Sequence, residues 1–127
     1  MTEAEKKNLI ENYVRAYNEF DVEKMIAGLH DDVLFVNVSG NETTHEIKGA
    51  AAFKEQAERA AGLFAEREQT IKKFACGETE CEIEIEYRAT LAADLPNGMK
   101  TGDRIEIGGK SIFRFAGGKI VEIRDIS

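Results

Sequence analysis

The sequence has no tryptophan, one proline, two histidines and two cysteines in 127 residues. A structural zinc site needs about four clustered cysteine or histidine ligands, and His30 and His45 are isolated from each other and from both cysteines. We therefore expect no metal, and we expect both histidines at surface or loop positions. Cys76 and Cys81 flank a plausible turn, so a cross-strand disulfide is geometrically possible. Two reduced thiols are the stronger prediction, because cytosolic proteins rarely keep disulfides.

Long apolar runs and clusters of basic residues are also missing. No segment approaches the roughly 20 apolar residues that span a membrane, and the N-terminus is too polar for a secretory signal. The net charge of −7 repels phosphate backbones. With 43% hydrophobic and 32% charged residues, the composition is that of one globular domain over residues 1–127. We expect a cytoplasmic protein with neither nucleic acid nor membrane as a partner.

The N-terminal third has helical signals. Thr2 and Glu5 form a capping box, which predicts that a helix begins at Thr2. Apolar residues then recur at helical spacing between positions 9 and 20. Asp21 can cap a second short helix over 22–29, and the aspartate pair that follows is expected to end it.

The rest of the chain shows one further helix and a change to the two-residue period of strands. A glycine pair at 108–109 is expected to form a bulge or bend, and Ala116-Gly-Gly118 a hairpin turn. Helices before strands predict an α+β fold with helices on one face of a curved sheet. The predicted elements are a helix over 50–64 and strands over 33–38, 43–47, 68–76, 80–92, 103–115 and 119–126.

Two regions resemble a known superfamily. Residues 13–40 read as helix, short helix and strand, and residues 111–125 contain a Phe-Arg-Phe segment followed by a Gly-Lys hairpin. Both resemble the NTF2-like superfamily, which includes ketosteroid isomerase, the SnoaL-type polyketide cyclases and limonene-epoxide hydrolase. The resemblance implies a cone of N-terminal helices packed on a curved, mainly antiparallel sheet. It also implies a pocket for a small apolar molecule, no cofactor, and a homodimer formed through the outer face of the sheet.

The ketosteroid isomerase pattern is incomplete in this chain. The resemblance places its tyrosine at Tyr13, its general-base aspartate at Asn37 and its oxyanion-binding aspartate at Ser111. An amide cannot take up a proton in the neutral pH range, so Asn37 cannot move one between carbon atoms. Steroid isomerisation is therefore excluded.

The epoxide hydrolase pattern is also only partly present. The resemblance matches its asparagine to Asn37, its arginine to Arg88 and one of its two acids to Asp125, whereas the other acid falls on Thr90. Alternation along the strand places Arg88 opposite the apolar face, so it points away from the pocket unless a bulge intervenes. Arg88 is therefore the weakest of the catalytic candidates.

The cyclase comparison favours Asp125, because it follows an apolar stripe on the last predicted strand and is the one acid placed to serve. The predicted catalytic set is Asp125 as acid/base, with Tyr13 and Asn37 as hydrogen-bonding groups. The predicted pocket lining is Tyr17, Phe35, Phe53, Phe64, Tyr87, Ser111, Phe113 and Ile123.

Three functions are compatible with these residues. The first is a cofactor-free acid/base enzyme, of cyclase, isomerase or hydrolase type, that acts on a small apolar molecule. The second is a non-catalytic binding module that uses the same pocket, which the missing base at Asn37 favours. The third is a dimerisation module whose cone is filled by its own aromatic side chains.

Overall fold

The computed structural model describes all residues, 1–127, and shows three helices packed on a six-stranded sheet. The helices are α1 (Glu3–Asn18), α2 (Val22–Ala27) and α3 (Ala50–Ala61). The strands are β1 (Leu29–Ser39), β2 (Glu42–Lys48), β3 (Phe64–Cys76), β4 (Glu80–Leu91), β5 (Arg104–Ala116) and β6 (Lys119–Ile126). This is the predicted α+β cone. None of its helices is long and apolar enough to cross a membrane.

The strand order is β2-β1-β6-β5-β4-β3, and every neighbouring pair is antiparallel except β1 with β6. Strand β6 therefore lies in the middle of the sheet, although it comes last in the chain. It joins the β1–β2 hairpin to the β3–β4–β5 meander. The position of every residue on β6 relative to β1 depends on this one parallel pairing.

Both N-terminal helices begin at the residues that the sequence indicates. The Thr2 hydroxyl accepts from the Glu5 backbone N–H at 3.1 Å, and the Glu5 carboxylate accepts from the Thr2 N–H at 3.0 Å. The Asp21 carboxylate accepts from the Lys24 N–H at 3.1 Å and caps α2. Such caps satisfy backbone N–H groups that have no partner within the first turn of a helix.

Two helix ends were predicted wrongly. Leu29 lies in β1, where it pairs with Ile120 of β6, so α2 ends earlier and the pair Asp31-Asp32 lies within the strand. Phe64 begins β3 opposite Leu91 instead of ending α3. In both places pairing with a distant strand outweighs the local helical pattern.

A row of inward-facing side chains crosses the sheet and forms the centre of the core. Its members are direct partners on neighbouring strands, in the order Ile47, Phe35, Ile123, Phe113 and Cys81. Phe113 is 1% exposed, and Ile123 and Cys81 are fully buried. Burial of a side chain such as Phe113 stabilises the fold by about 1.5–3 kcal/mol.

The glycine pair in β5 does not form the predicted bulge. Strands β4 and β5 pair without a shift in register from Glu80 to Thr90. Gly109 instead allows β6 to approach β5 closely. A Cβ atom at this position would lie 2.9 Å from the Ile126 carbonyl oxygen. Any side chain at position 109 would displace the end of β6.

The prediction of two reduced cysteines was wrong, because the structure joins Cys76 and Cys81 by a disulfide. The two residues are opposite partners at the end of the β3–β4 hairpin, with Cα atoms 4.0 Å apart. Lys6 of α1 is buried against the same hairpin, and its Nζ donates to the carbonyl oxygens of Gly77 and Glu78, each at 2.6 Å. The hairpin is thus closed by the disulfide and attached to α1 by Lys6.

The outer face of the sheet is charged, as the alternation along β4 predicts. The four glutamates of this strand each pair with a basic residue of a neighbouring strand. Exposed pairs of this kind contribute about 0–1 kcal/mol each. The pairs are Glu80–Arg114, Glu82–Lys110, Glu84–Lys73 and Glu86–Lys72.

Reduction of the disulfide is expected to lower the free energy of unfolding by about 2 kcal/mol, because the cross-link closes a loop of about six residues in the unfolded chain. Urea unfolding with and without dithiothreitol measures this difference. The double variant Cys76→Ala/Cys81→Ala is the control and should be insensitive to the reductant. Equal stability of the wild type in both conditions would show that the disulfide contributes nothing.

Candidate active site

A pocket of about 450 Å³ opens between the helices and the inner face of the sheet. Ten of its sixteen lining residues are hydrophobic, and Asp125 is its only acidic residue. A cone filled by its own aromatic side chains, the third of the alternatives considered, does not fit this cavity. The lining residues are Tyr13, Tyr17, Met25, Phe35, Asn37, His45, Ile47, Phe53, Gln56, Ala57, Ala60, Leu63, Phe64, Arg67, Gln69 and Asp125.

A row of polar residues crosses four strands next to the apolar row. Asn37 of β1 is the direct partner of His45 on β2 and of Asp125 on β6, and Asp125 is the partner of Ser111 on β5. Residues in one register row share a face of the sheet. The sheet therefore brings the predicted acid beside Asn37, which was predicted as a hydrogen-bonding group.

Asp125 is the titratable centre of this row. Its Oδ1 accepts a hydrogen bond of 2.6 Å from the Ser111 hydroxyl, and Ser111 is 2% exposed. Burial raises the pKa of Asp125 from its usual 3.8 to about 6, and the hydrogen bond from Ser111 opposes this rise. A carboxyl with such a pKa exchanges protons readily near neutral pH.

Tyr13 approaches the pocket from α1. Its ring packs against Phe53 and Phe113, with centroids 6.3 and 5.9 Å away. Burial raises the pKa of its hydroxyl well above the usual range, and the charge of Asp125 raises it further. The hydroxyl has no hydrogen-bond partner in the protein. It is therefore a protonated, unused donor close to Asp125.

Tyr17 and Tyr87 form a second hydroxyl pair beside the pocket. The Tyr17 hydroxyl donates to the Tyr87 oxygen at 2.9 Å, and burial raises the pKa of both groups. A smaller cavity of about 210 Å³ lies on the far side of Tyr17 and shares Asn37 and Asp125 with the main pocket. Asp125 thus lines both cavities.

Asn37 is held by the β1–β2 hairpin. Its Nδ2 donates to the Thr44 hydroxyl at 2.7 Å, which leaves the amide oxygen free to accept. His45 is exposed, as predicted, but it lies on β2 and contributes to the edge of the pocket. The Asn37 amide and the His45 imidazole are the polar groups where β1 and β2 border the pocket.

The structure separates the predicted lining residues into two groups. Tyr13, Tyr17, Phe35, Asn37, Phe53, Phe64 and Asp125 line the main pocket. Four others do not line it, which corrects the prediction: Tyr87 lines only the smaller cavity, and Ser111, Phe113 and Ile123 are buried in the sheet beneath the helices.

Arg88 lies on the outer face of the sheet, where its strand partners are Glu68 and Glu106. No register shift turns it inward. Thr90 has the same parity, so neither of these residues reaches Asp125. The arginine-centred pattern of the epoxide hydrolase is therefore not assembled here.

Arg67 is the functional candidate that the sequence analysis missed. It is only 6% exposed and lines the pocket from β3. Its guanidinium lies 3.8 Å from the ring centroid of Tyr17 and 4.5 Å from that of Phe20, and Nε donates to the Tyr17 carbonyl at 2.9 Å. The predicted strand began at residue 68 and so did not include Arg67. With β3 beginning at Phe64, alternation places Arg67 on the same inner face as Gln69.

The side chains of this site are suited to proton transfer and hydrogen bonding. No group of three or more histidine, cysteine, aspartate or glutamate side chains in the protein is placed to hold a metal ion. The pocket combines one titratable acid, one unused phenol donor, three amides and one buried cation. Gln56 and Gln69 extend its polar part beyond the predicted residues.

The model of the SnoaL-like domain matches residues 10–123 of the chain. Among curated proteins, none matches the chain significantly.

Solved structures show the same fold at low sequence identity. A proposed polyketide cyclase from Xanthomonas campestris pv. campestris superimposes with a TM-score of 0.83 at 19% identity, covering 98% of this chain and 90% of the other. AclR, a proposed hydroxylase from Streptomyces galilaeus, gives 0.77 at 24%, covering 98% and 89%. An epoxide hydrolase of the LEH-like type from M. tuberculosis gives 0.78 at 20%, covering 97% and 82%. At these identities the likeness shows the fold alone.

Replacement of Ser111 by alanine is expected to raise the pKa of Asp125 above 6. The lost hydrogen bond stabilises the carboxylate form, and a bond to a charged group corresponds to about one pKa unit. A pH titration of the Asp125 carboxyl carbon by NMR measures the change. Ser39→Ala, at an exposed serine of β1, is the control and should leave the pKa unchanged. An unchanged or lowered pKa of Asp125 in Ser111→Ala would show that the Ser111 hydroxyl does not stabilise the Asp125 carboxylate.

Proposed function

Because the chain belongs to the SnoaL-like domain family, within the NTF2-like superfamily, we propose that it is a cofactor-free acid/base enzyme acting on a small, mainly apolar molecule. The observation that carries this proposal is Asp125. A single carboxyl with a raised pKa, in a pocket with an apolar majority, matches the requirement for a general base that works near neutral pH.

The reaction class that suits these groups is proton abstraction next to a carbonyl. Asp125 takes a proton from the carbon atom, and the electron pair moves to the carbonyl oxygen to form an enolate. The Tyr13 hydroxyl donates a hydrogen bond to that oxygen, since its raised pKa keeps it protonated. In a cyclisation, the enolate carbon then attacks a second carbonyl of the same molecule, and the oxygen of that carbonyl takes the proton from Asp125. In an isomerisation, the enolate is conjugated with a double bond, and Asp125 returns the proton to a different carbon.

Asn37 has a positioning role in this scheme. Its amide oxygen accepts from a hydroxyl or N–H of the substrate, while one of its two amide N–H groups donates to the Thr44 hydroxyl. It cannot replace the base of ketosteroid isomerase, but its strand partner Asp125 supplies a carboxylate in the same row. The carboxylate of this chain is therefore on β6, whereas the resemblance places the isomerase's base on β1, at the position of Asn37.

Cyclase or isomerase chemistry is therefore favoured over epoxide hydrolysis. The hydrolase pattern needs a second acid and an arginine beside the first acid, and Thr90 and Arg88 lie on the strand face that points away from the pocket. Both favoured reactions begin with the same enolate. The choice between them depends on whether the substrate carries a second carbonyl within reach.

A non-catalytic binding module is the alternative. The observation that favours it is Asn37, which puts an amide that does not titrate at the position of the family's base. In that case Asp125 and Tyr13 only orient a ligand. Retention of the ligand without exchange of its protons distinguishes the two functions.

Exchange of the α-protons of 2-tetralone in D2O, followed by NMR, tests the base directly. The wild type is expected to accelerate the exchange, with a rate that rises as the pH passes about 6, because only the ionised Asp125 accepts a proton. Asp125→Asn should reduce the accelerated rate by about 100-fold or more. Tyr13→Phe should reduce it by about tenfold or more, because one oxyanion donor is lost.

Arg88→Met is the matched control, since Arg88 is on the outer face and the variant should exchange at the wild-type rate. Full activity in folded Asp125→Asn would overturn the assignment of the base. Binding of 2-tetralone without accelerated exchange would favour the binding module.

We also propose that two copies associate through the outer face of the sheet, as the superfamily resemblance implies. The four glutamates of β4 on this face are already paired within one chain, so they do not oppose the contact by their charge. Light scattering coupled to size-exclusion chromatography should give twice the chain mass of 14.1 kDa at low and high salt. A mass of one chain at every concentration would exclude the dimer.

A further inference from the structure

The Arg67 side chain has donors that the protein does not use. An arginine has five N–H donors, and only the Nε–H of Arg67 is bonded, so four of the five have no acceptor in the protein. Nη2 is enclosed and has no partner at all. Buried donors of this kind are costly to leave unsatisfied, and a buried charge is usually paired.

The positive charge of Arg67 also has no counter-ion. None of the ion pairs in the protein includes it. Its neighbours on β3, Glu66 and Glu68, are exposed and alternate to the other face of the sheet. Asp125 lines the same pocket, but its side-chain hydrogen bond is to Ser111 and it forms no ion pair with Arg67.

The guanidinium is nevertheless held in a fixed orientation. It lies between the rings of Tyr17 and Phe20, and Nε is anchored on the Tyr17 carbonyl. Phe20 adopts φ 59°, a left-handed backbone conformation that aromatic residues rarely take. This conformation occurs where the chain turns from α1 to α2, and Phe20 there covers one face of Arg67. Backbone strain of this kind is often found at ligand sites.

A purely structural role does not account for this arrangement. The Tyr17 carbonyl also accepts from the Phe20 backbone N–H at 3.2 Å, so it does not require Arg67. An uncharged side chain of similar length would fill the same space between the two rings without a buried, unpaired charge. The unused side of the fork is best explained by an acceptor that comes from outside the chain.

We propose that Arg67 binds the anionic oxygen group of the ligand, and that the pocket therefore takes small, flat, apolar molecules carrying one carboxylate or an equivalent acidic group. Nη1 has no partner and, unlike Nη2, is not enclosed, so it can donate to an oxygen of the ligand. A guanidinium pairs strongly with a carboxylate. The apolar body of the ligand then lies along Phe35, Phe53 and Phe64, within the 450 Å³ of the pocket. This ligand class rests on the proposed function, because it assigns the substrate of the same pocket.

Paired probes test the ligand class without any turnover. 2-Naphthoate and 2-naphthamide have the same ring system and similar size, but only the first is charged at neutral pH. Isothermal titration of the wild type should show tighter binding of 2-naphthoate by about tenfold or more. Arg67→Met should abolish this preference, and Arg67→Lys should keep part of it because the charge is retained. Arg88→Met removes an arginine from the outer face and should leave the preference intact.

Two further measurements separate a ligand-binding role from a structural one. The melting temperature of ligand-free Arg67→Met should equal or exceed that of the wild type, whereas a structural arginine would lower it. In the unmodified protein, the ¹⁵N signals of the Arg67 guanidinium should shift on titration with 2-naphthoate and not with 2-naphthamide. Because this titration uses the wild-type protein, it tests the proposal even if Arg67→Met does not fold.

Equal affinity for the two probes, no binding of either, or a preference that survives Arg67→Met would overturn the proposal. Its failure is distinguishable from that of the proposed function. If the wild type prefers 2-naphthoate but does not accelerate proton exchange, the protein binds acidic molecules without catalysis. If it accelerates proton exchange but shows no such preference, it is an enzyme whose substrate is neutral.

Discussion

The parallel pairing of β1 with β6 is the contact on which the site depends. It joins a two-stranded hairpin to a three-stranded meander, and it aligns Asn37 with Asp125. A slip of one residue would turn Asp125 to the outer face and Arg124 to the inner face, because successive side chains alternate. The neighbouring contacts resist such a slip. Ile123 fills the core row, and Gly109 allows the end of β6 to approach β5 closely.

The electrostatics of the pocket follow from its apolar composition. Burial raises the pKa of Asp125, so the folded state retains a proton that the unfolded chain releases near the usual value of 3.8. The contribution of this group to stability is therefore present at acidic pH and is lost as the pH rises to about 6. Arg67 imposes a second cost, because its buried charge lacks a protein partner. The stability of the fold comes from the apolar row beneath these two groups.

Much of this architecture could be predicted from the sequence. The capping box at Thr2 located α1, and the alternation along β4 and β6 located both strands and their inner faces. The ends of α2 and α3 could not be predicted, because they are set by pairing with distant strands. Asp125 was predicted from its parity with Ile123. That Asn37 is its strand partner is a property of the parallel register, which local patterns do not contain.

The residues of the site were harder to predict than the strands. Parity gives the face of the sheet but not the depth below the helices, so Ser111 and Phe113 were expected in the pocket and lie beneath it. Arg67 was missed for another reason. It stands between Glu66 and Glu68, and three successive charged residues show no apolar alternation. A buried arginine in such a segment reads as part of a charged surface.

The central position of β6 also affects the order in which the protein folds. Strands β3, β4, β5 and β6 are consecutive in the chain, and each pairs with the next, whereas β1 must wait for residues 119–126 before its inner edge is covered. Closing so long a loop carries a large entropic cost, which slows folding. We therefore expect the meander from β3 to β6, which carries both Arg67 and Asp125, to become ordered before β1 brings Asn37 beside Asp125. Until β1 pairs, an edge of β6 is uncovered and another chain can add to it.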